Sequence, residues 1–374
     1  MPRDTIYPMN GRLVQAALKW IVARCIAFPA LLMPYGIRIA YIQMLSSIIH
    51  TPFVFFGRIS AFLLDQLHIV APKQPVALDR VDKESSVALN ERNGDRVVVL
   101  YSGGTDSTCA AALMCEKYDE LHLLTFYERA TKNSPVPTIN IALLAKRYPH
   151  VTFKNYVLSV DALVKYFSYE HYGTRLISHG FLVLSTCGFS TLSWHTRTIM
   201  YCLENNATHV VDGLTRELMH FPGHMDIVVR AFQRLYSTFG IVYENPVRDW
   251  PTPPDRQFID QVLINRHSEE YILGDYNAEE RKTTGKYLYD IGVFPHPNMK
   301  GSKTDFSMQH DCYPFALYNI VAFWGYLPWI SYAVFCEKVY SLMSDKISVA
   351  ETLLSEYKTD GATSTLSTLL LNDA

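Results

Sequence analysis

Charge is the scarcest ingredient of this 374-residue chain. Asp, Glu, Lys and Arg together make up 19% of it, against 49% apolar residues, with 24 Tyr and 19 Phe. So lean a charge content excludes a disordered polypeptide, whose composition is the reverse, and leaves ample material for a core. The net charge of −2 removes any whole-chain argument for nucleic acid. The seven cysteines are odd in number and include no C-x-x-C pair, which excludes the usual zinc spacings and a disulfide framework. Reduced, structural thiols in a cytoplasmic protein are the expectation. No G-x-x-x-x-G-K-[ST] and no G-x-G-x-x-G is present, so neither the common P-loop nor the dinucleotide fingerprint applies. A secretory signal is also missing, because Lys19 and Arg24 interrupt the first apolar run and no cleavage pattern follows.

What is there falls into five segments. Residues 1–70 are apolar with a basic bias: Arg3, Arg12, Lys19, Arg24, Arg38 and Arg58 oppose only Asp4 and Asp65. Helices of this kind lie on an anionic membrane surface, dock on a partner chain, or pack on their own domain, and these readings stay open. The stretch from Ile39 to Gly57 has no formal charge, but Gln43, His50 and Pro52 make it a poor spanning helix. Residues 71–95 turn abruptly to mixed charge with two prolines, as a linker does. From 96 to 250 the rhythm is strand, loop, helix. Strands are expected at "VVVLY", "LHLLTFY" (121–127), "VTFKNYVL" (151–158) and "THVVDGL" (208–214). Helices are expected after Thr105 and at 138–148 and 196–206. Near-continuous apolar strands alternating with helices specify an α/β, doubly wound parallel sheet covered on both faces. Residues 251–358 read as a C-terminal helical region, in which the uncharged run Cys312–Cys336 is expected to form two aromatic helices turned at "GYLP". The Ser/Thr-rich residues 359–374 read as a flexible tail.

The most informative stretch is "RVVVLYSGGTDSTCAAALM", 96–114. Two glycines and several hydroxyls stand at the carboxyl end of a buried strand, where open parallel sheets bind ligands. Gly103 and Gly104 let backbone amides approach an anion, Ser102, Thr105 and Ser107 add donors, and the next helix points its amino end at the same spot. Together they make a phosphate cradle without a lysine.

Ser-Gly-Gly-x-Asp-Ser after a strand is the motif of the PP-loop ATP pyrophosphatases, and "SGGTDS" at 102–107 resembles it completely. The branch containing 7-cyano-7-deazaguanine synthase is similar over a longer stretch, residues 96–248. "LTFYERA" with the "INIALLAKRY" helix resembles its second strand and helix. "VVDGLTRE" resembles its fourth strand ending in Gly213, and "HFPGHMDIVVRAFQRL" and "GIVYENPV" the helix and strand that follow. The substrate side departs from that branch. Of its four zinc cysteines only Cys312 has a counterpart, beside His310. Ser190-Thr191 stands near its Arg-Asn pair, and "HFPGHM" replaces Tyr-Pro-Asp-Cys.

The resemblance implies an enzyme that uses ATP to adenylate an acceptor oxygen, releasing pyrophosphate, after which an amine, ammonia or thiol displaces AMP. Gly103, Gly104, Ser102, Thr105 and Ser107 would hold the triphosphate. Asp106 would hold Mg²⁺ or orient the loop, and Asp106, Ser107 and Arg216 would act in catalysis. Phe126 and Tyr127 would flank adenine or ribose, or else belong to the sheet core. His220 and His224 carry a metal only if helical, and Pro222-Gly223 between them argues against that. Lys300 and Lys303 belong to a lid or to a solvated loop. The partners expected are ATP, an unidentified acceptor, and a protein or membrane surface met by residues 1–70, the chain acting as an oligomer or complex component without direct nucleic-acid contact. Two other roles remain: an ATP-binding scaffold or sensor in a multiprotein system such as an antiphage defence operon, and a tRNA-modifying thiolase, which lacks its paired cysteines here.

Overall fold

The computed structural model describes residues 9–46, 96–132, 138–216, 219–250, 283–297, 311–312, 314–327 and 329–371. The linker 71–95, Arg3, Arg58, Glu217, Lys300, Lys303 and His310 lie outside them.

A five-stranded, all-parallel sheet organises the chain. Its strands are β1 (Arg96–Leu100), β2 (Glu120–Tyr127), β4 (Thr152–Ser159), β5 (His209–Asp212) and β6 (Val242–Glu244), in the spatial order β4-β2-β1-β5-β6. A two-residue antiparallel pair, β3 (Thr131–Lys132) with β7 (Asp311–Cys312), stands apart. Helix α3 (Thr105–Cys115) links β1 to β2, and α4 (Thr138–Arg147) precedes β4. The chain then returns through α5 (Asp161–Tyr169), α6 (Tyr172–His179) and α7 (Thr186–Asn205) to β5, and α8 (Asp226–Thr238) leads to β6. Successive β1 residues serve opposite faces, as the two-residue period requires. Val97 and Val99 pack with Cys109, Met114, Leu144 and Leu288, whereas Val98 packs with Leu192, Ile199, Phe232 and Leu342. The sheet is therefore doubly wound, and its connections change face between β1 and β5.

The amino-terminal residues pack on this domain. Helix α1 (Met9–Leu32) and a second helix, α2 (residues 35–46), bury Ala27, Ala30, Leu31 and Ile42 against Val183, Leu184, Leu317 and Val321. Arg38, counted above as a source of surface field, is 1% exposed. Its guanidinium lies 4.6 Å from the Tyr169 ring and donates to the Tyr172 hydroxyl at 2.9 Å and the Leu31 carbonyl at 3.2 Å. The outward face of α1 carries Leu18, Ile21, Phe28 and Leu32, all exposed. No single helix among the described residues is long and apolar enough to cross a membrane.

In the C-terminal region the two expected helices are present, and the expected flexible tail is corrected. A short helix, α10 (Pro314–Asn319), continues as a π-helical stretch at Ile320–Tyr326. The second helix, α11 (Tyr332–Asp360), begins beyond the "GYLP" segment, so two helical stretches flank the expected turn, and α11 continues past Cys336. Lys346 on α11 is buried and tied to Glu170 after α5, donating to its carboxylate at 2.9 Å and its carbonyl at 2.8 Å. The flexible tail is replaced by α12 (Thr365–Leu371), because Leu366 is fully buried in the main core and Ser364 and Ser367 bond each other at 3.1 Å. One further short helix, α9 (Thr284–Asp290), lies over α3 and buries Leu288.

Candidate functional site

A doubly wound sheet leaves a crevice at the carboxyl ends of the strands where its connections diverge. Here that point lies between β1 and β5, and the loop Ser102–Ser107 occupies it.

The loop's shape follows from its residues. Gly103 has φ +82°, which side chains rarely adopt. The Asn140 side chain holds its carbonyl, Nδ2 donating at 2.7 Å. Gly104, extended at φ −73° and ψ 171°, is the residue before α3, and no side chain caps that helix start. The hydroxyls fix the turn. Thr108 donates to the Gly104 carbonyl at 2.8 Å, Ser107 donates to it at 3.1 Å, and the Ser102 and Ser107 oxygens are 3.2 Å apart. Thr125 on β2 bonds the Tyr101 carbonyl at 2.8 Å. Thr105 and Ser107 are buried and Ser102 is exposed. Asp106 accepts from the Thr284 hydroxyl at 2.6 Å, so its carboxylate joins α9 to the loop.

From the other side comes the tip of β5. The buried Asp212 accepts from the Leu214 amide at 2.9 Å, which makes a two-residue turn around Gly213. The Asn245 amide, at 2.5 Å, and the Tyr243 hydroxyl bind the same carboxylate. Burial raises the Asp212 pKa, and these donors work against it. The turn presses Gly213 onto the loop: a Cβ there would lie 2.3 Å from the Ser107 amide nitrogen and 2.5 Å from the Asp106 carbonyl carbon. Only glycine lets β5 touch the start of α3.

The structure thus brings Ser102, Gly103, Gly104, Thr105, Asp106, Ser107 and Gly213 together. Arg216 is already engaged. It donates to Asp226 at 2.7 Å and to Asp249 at 2.5 Å, and Arg248 shares Asp226 at 2.6 Å. Those carboxylates raise its pKa against the opposing effect of burial. Phe126 takes the core role: it is buried and stacked on Trp194, centroids 6.2 Å apart. Tyr127 is exposed at the strand tip. His220 and His224 flank a single 3-10 turn at Pro222–His224 rather than sharing a helix face. Burial first, then the neighbouring His224, pushes the His220 pKa down to about 3. No group of three His, Cys, Asp or Glu suited to a metal ion exists among the described residues. Two of the buried thiols are poor nucleophiles: burial pushes Cys202 up to about 12 and Cys115 further still.

Two residues escaped the sequence. Glu128, just past β2, is fully buried, and burial pushes its carboxyl up to about 8. Asn140, which clamps the loop, looked like an ordinary helix position. An acid directly after an apolar strand was the one available signal for Glu128.

No protein-family model matches the chain, and no curated protein does.

Proposed function

We propose that the chain is an ATP-dependent ligase or synthase that cleaves ATP between the α and β phosphates and adenylates an acceptor oxygen. The carrying observation is the lysine-free glycine–hydroxyl loop at the β1/β5 crevice, with Gly213 packed against the Ser107 amide. The strand order and the complete "SGGTDS" support the PP-loop reading of this sheet.

In this reading the triphosphate lies across the loop. The amides of Gly103 and Gly104 and the hydroxyls of Ser102 and Ser107 donate to its oxygens, each bond to a charged oxygen contributing about 1.5–3 kcal/mol. The amino end of α3 adds its dipole. A bound Mg²⁺ would supply neutralisation of the charge developing on pyrophosphate. Asp106, the acid in the first turn of α3, is the residue that would meet it. A single carboxylate suits this ion, which is held mainly by phosphates and water. Arg216 stabilises the leaving group by exchanging Asp249, its more exposed partner, for phosphate oxygen. The acceptor oxygen attacks the α-phosphorus in line, and the loop holds that geometry.

The test is product analysis after incubation with ATP and Mg²⁺. AMP and pyrophosphate are expected, and Asp106→Ala should abolish their release. ADP and phosphate as sole products refute the assignment. Saturable ATP binding without turnover, in the presence of candidate acceptors, selects a nucleotide-sensing role instead.

A further inference from the structure

Phe126 and Glu128 stand two residues apart at the tip of β2, and both meet α7. Phe126 stacks on Trp194 with planes 10° apart. Glu128 lies by Ser190, one turn earlier on the same helix face. In this strip the polar groups do not balance. Glu128 is 0% exposed, and neither of its carboxylate oxygens has a hydrogen-bond partner among the described residues; the Trp194 indole Nε1 has none either. The Ser190 hydroxyl gives its proton to the Thr186 carbonyl at 3.1 Å. The neighbouring acid shows the contrast. Asp161, at the start of α5, takes the Tyr35 hydroxyl at 2.7 Å, the Arg129 amide at 2.9 Å and the Arg129 Nε at 3.3 Å.

Buried polar groups in native proteins are almost always paired, and an unpaired carboxylate is the most expensive exception. Two empty acceptor oxygens at the carboxyl edge of the sheet call for a ligand with several N–H donors, and the idle indole N–H calls for an acceptor on that same ligand. A thiol satisfies neither.

We propose that Glu128 and Trp194 form the pocket for the nucleophile of the reaction, a primary amine that enters as its ammonium. This rests on the adenylating reading above and selects among the nucleophiles it left open. The ammonium gives one proton to the Glu128 carboxylate and becomes a neutral amine. Its lone pair attacks the carbonyl carbon of the acyl adenylate. A C–N bond forms, the C–O bond to phosphate breaks, AMP leaves with that electron pair, and the second proton passes from the nitrogen to the departing phosphate, leaving a neutral amide. Glu128, raised to about 8 by burial, against the opposing effect of the nearby Ser190 hydroxyl and with the charge of Asp161 adding to the rise, exchanges protons near neutrality, as a general base must.

Two measurements on the full chain test this. The first is thermal unfolding with methylammonium chloride, against sodium chloride at equal ionic strength. Saturable stabilisation is expected in the wild type, with apparent affinity at least about tenfold weaker in Glu128→Gln. Ser107→Ala should lose stabilisation by ATP yet keep that by methylammonium, so failure of the nucleotide reading and failure of the pocket are separable. A wild-type response equal to that of sodium chloride, or an unchanged Glu128→Gln, overturns the pocket. The second needs no ligand. Glu128 faces Asp161, Tyr35 and Ser190; Arg129 pairs with Asp161, and burial makes the Glu128 carboxyl prefer the protonated form when folded. Wild-type stability relative to Glu128→Gln should fall as pH rises from about 4.5 to about 8. A Glu128→Gln variant that is the less stable one at pH 8 reveals a hidden cationic partner and overturns the proposal.

Discussion

Replacing Gly213 by alanine adds one carbon at the point where β5 meets the loop, and the structure fixes the consequence. That carbon would sit 2.3 Å from the Ser107 nitrogen and 2.5 Å from the Ser107 Cα and the Asp106 carbonyl carbon, all backbone atoms. Ordinary contact begins near 3.4 Å, so strand and loop must separate by about 1 Å. Neither yields readily. Asp212, Asn245 and Tyr243 hold the strand side, while Thr108 and Asn140 hold the loop. Overpacking of this kind costs about 1–3 kcal/mol of stability. In the proposed reading, a loop displaced by that distance loses one or two phosphate bonds, about 1.5–3 kcal/mol each, which would weaken ATP binding by about tenfold to about ten-thousandfold. Calorimetric titration with a non-hydrolysable ATP analogue, beside thermal unfolding, reads both effects. Gly36→Ala is the control: it lies in α2, no atom is within 4 Å of its added Cβ, and binding should not change. A Gly213→Ala protein with wild-type affinity and midpoint refutes the close approach of β5 and the loop.

Lys346→Ala leaves the buried Glu170 carboxylate with only Arg175, at 3.9 Å, and the exposed His171 ring, at 3.1 Å, and should cost about 3–5 kcal/mol, read as a fall in the urea midpoint; an unchanged midpoint shows that the pair is solvated. His195 and His220 are both pushed from 6.5 to about 3 by burial, so the unfolded chain binds more protons between those values. Stability should therefore fall as pH drops from about 6.5 towards 3, and His220→Phe should flatten that slope; an identical slope refutes the burial of this imidazole. Chelator-treated, untagged protein should hold no stoichiometric zinc by elemental analysis, and about one zinc per chain would overturn this.

The sheet and the loop were legible because each rests on a local signal. Strands β1, β2 and β5 are short apolar runs bounded by polar turns, and "SGGTDS" marks the tip by itself. Helix α7 was legible only in its second half. Its first half, "TCGFSTLSWHT", is rich in residues that favour turns and strands. Ser190, Ser193, Thr196 and Thr198 resolve the conflict by bonding carbonyls four residues back, which lets a hydroxyl-rich segment lie buried as a helix. Arg38 misled for a related reason. Charge counted along a sequence takes each arginine as solvated, whereas Tyr169 and Tyr172 give this one an aromatic box. The same holds for Arg216, whose partner Asp249 is 33 residues away in sequence. Glu128 was invisible because its significance is an absence of partners, which only tertiary structure displays.

The union of α1 and α2 with Leu317 and Val321 bears on how the chain is made as well as on how it is held. Ribosomes deliver these two helices well before their core partners, Val183 and Leu184 and later Leu317 and Val321. Until those partners emerge the Ala27, Ala30, Leu31 and Ile42 surface is at best partly covered, in a segment with almost no acidic residues to discourage self-association. The parallel sheet between them is itself slow to assemble, since each of its pairings spans a helix. Nascent chains of this protein therefore carry an incompletely covered apolar module until α10 emerges, and its yield in cells is set by what shields that module in the interval.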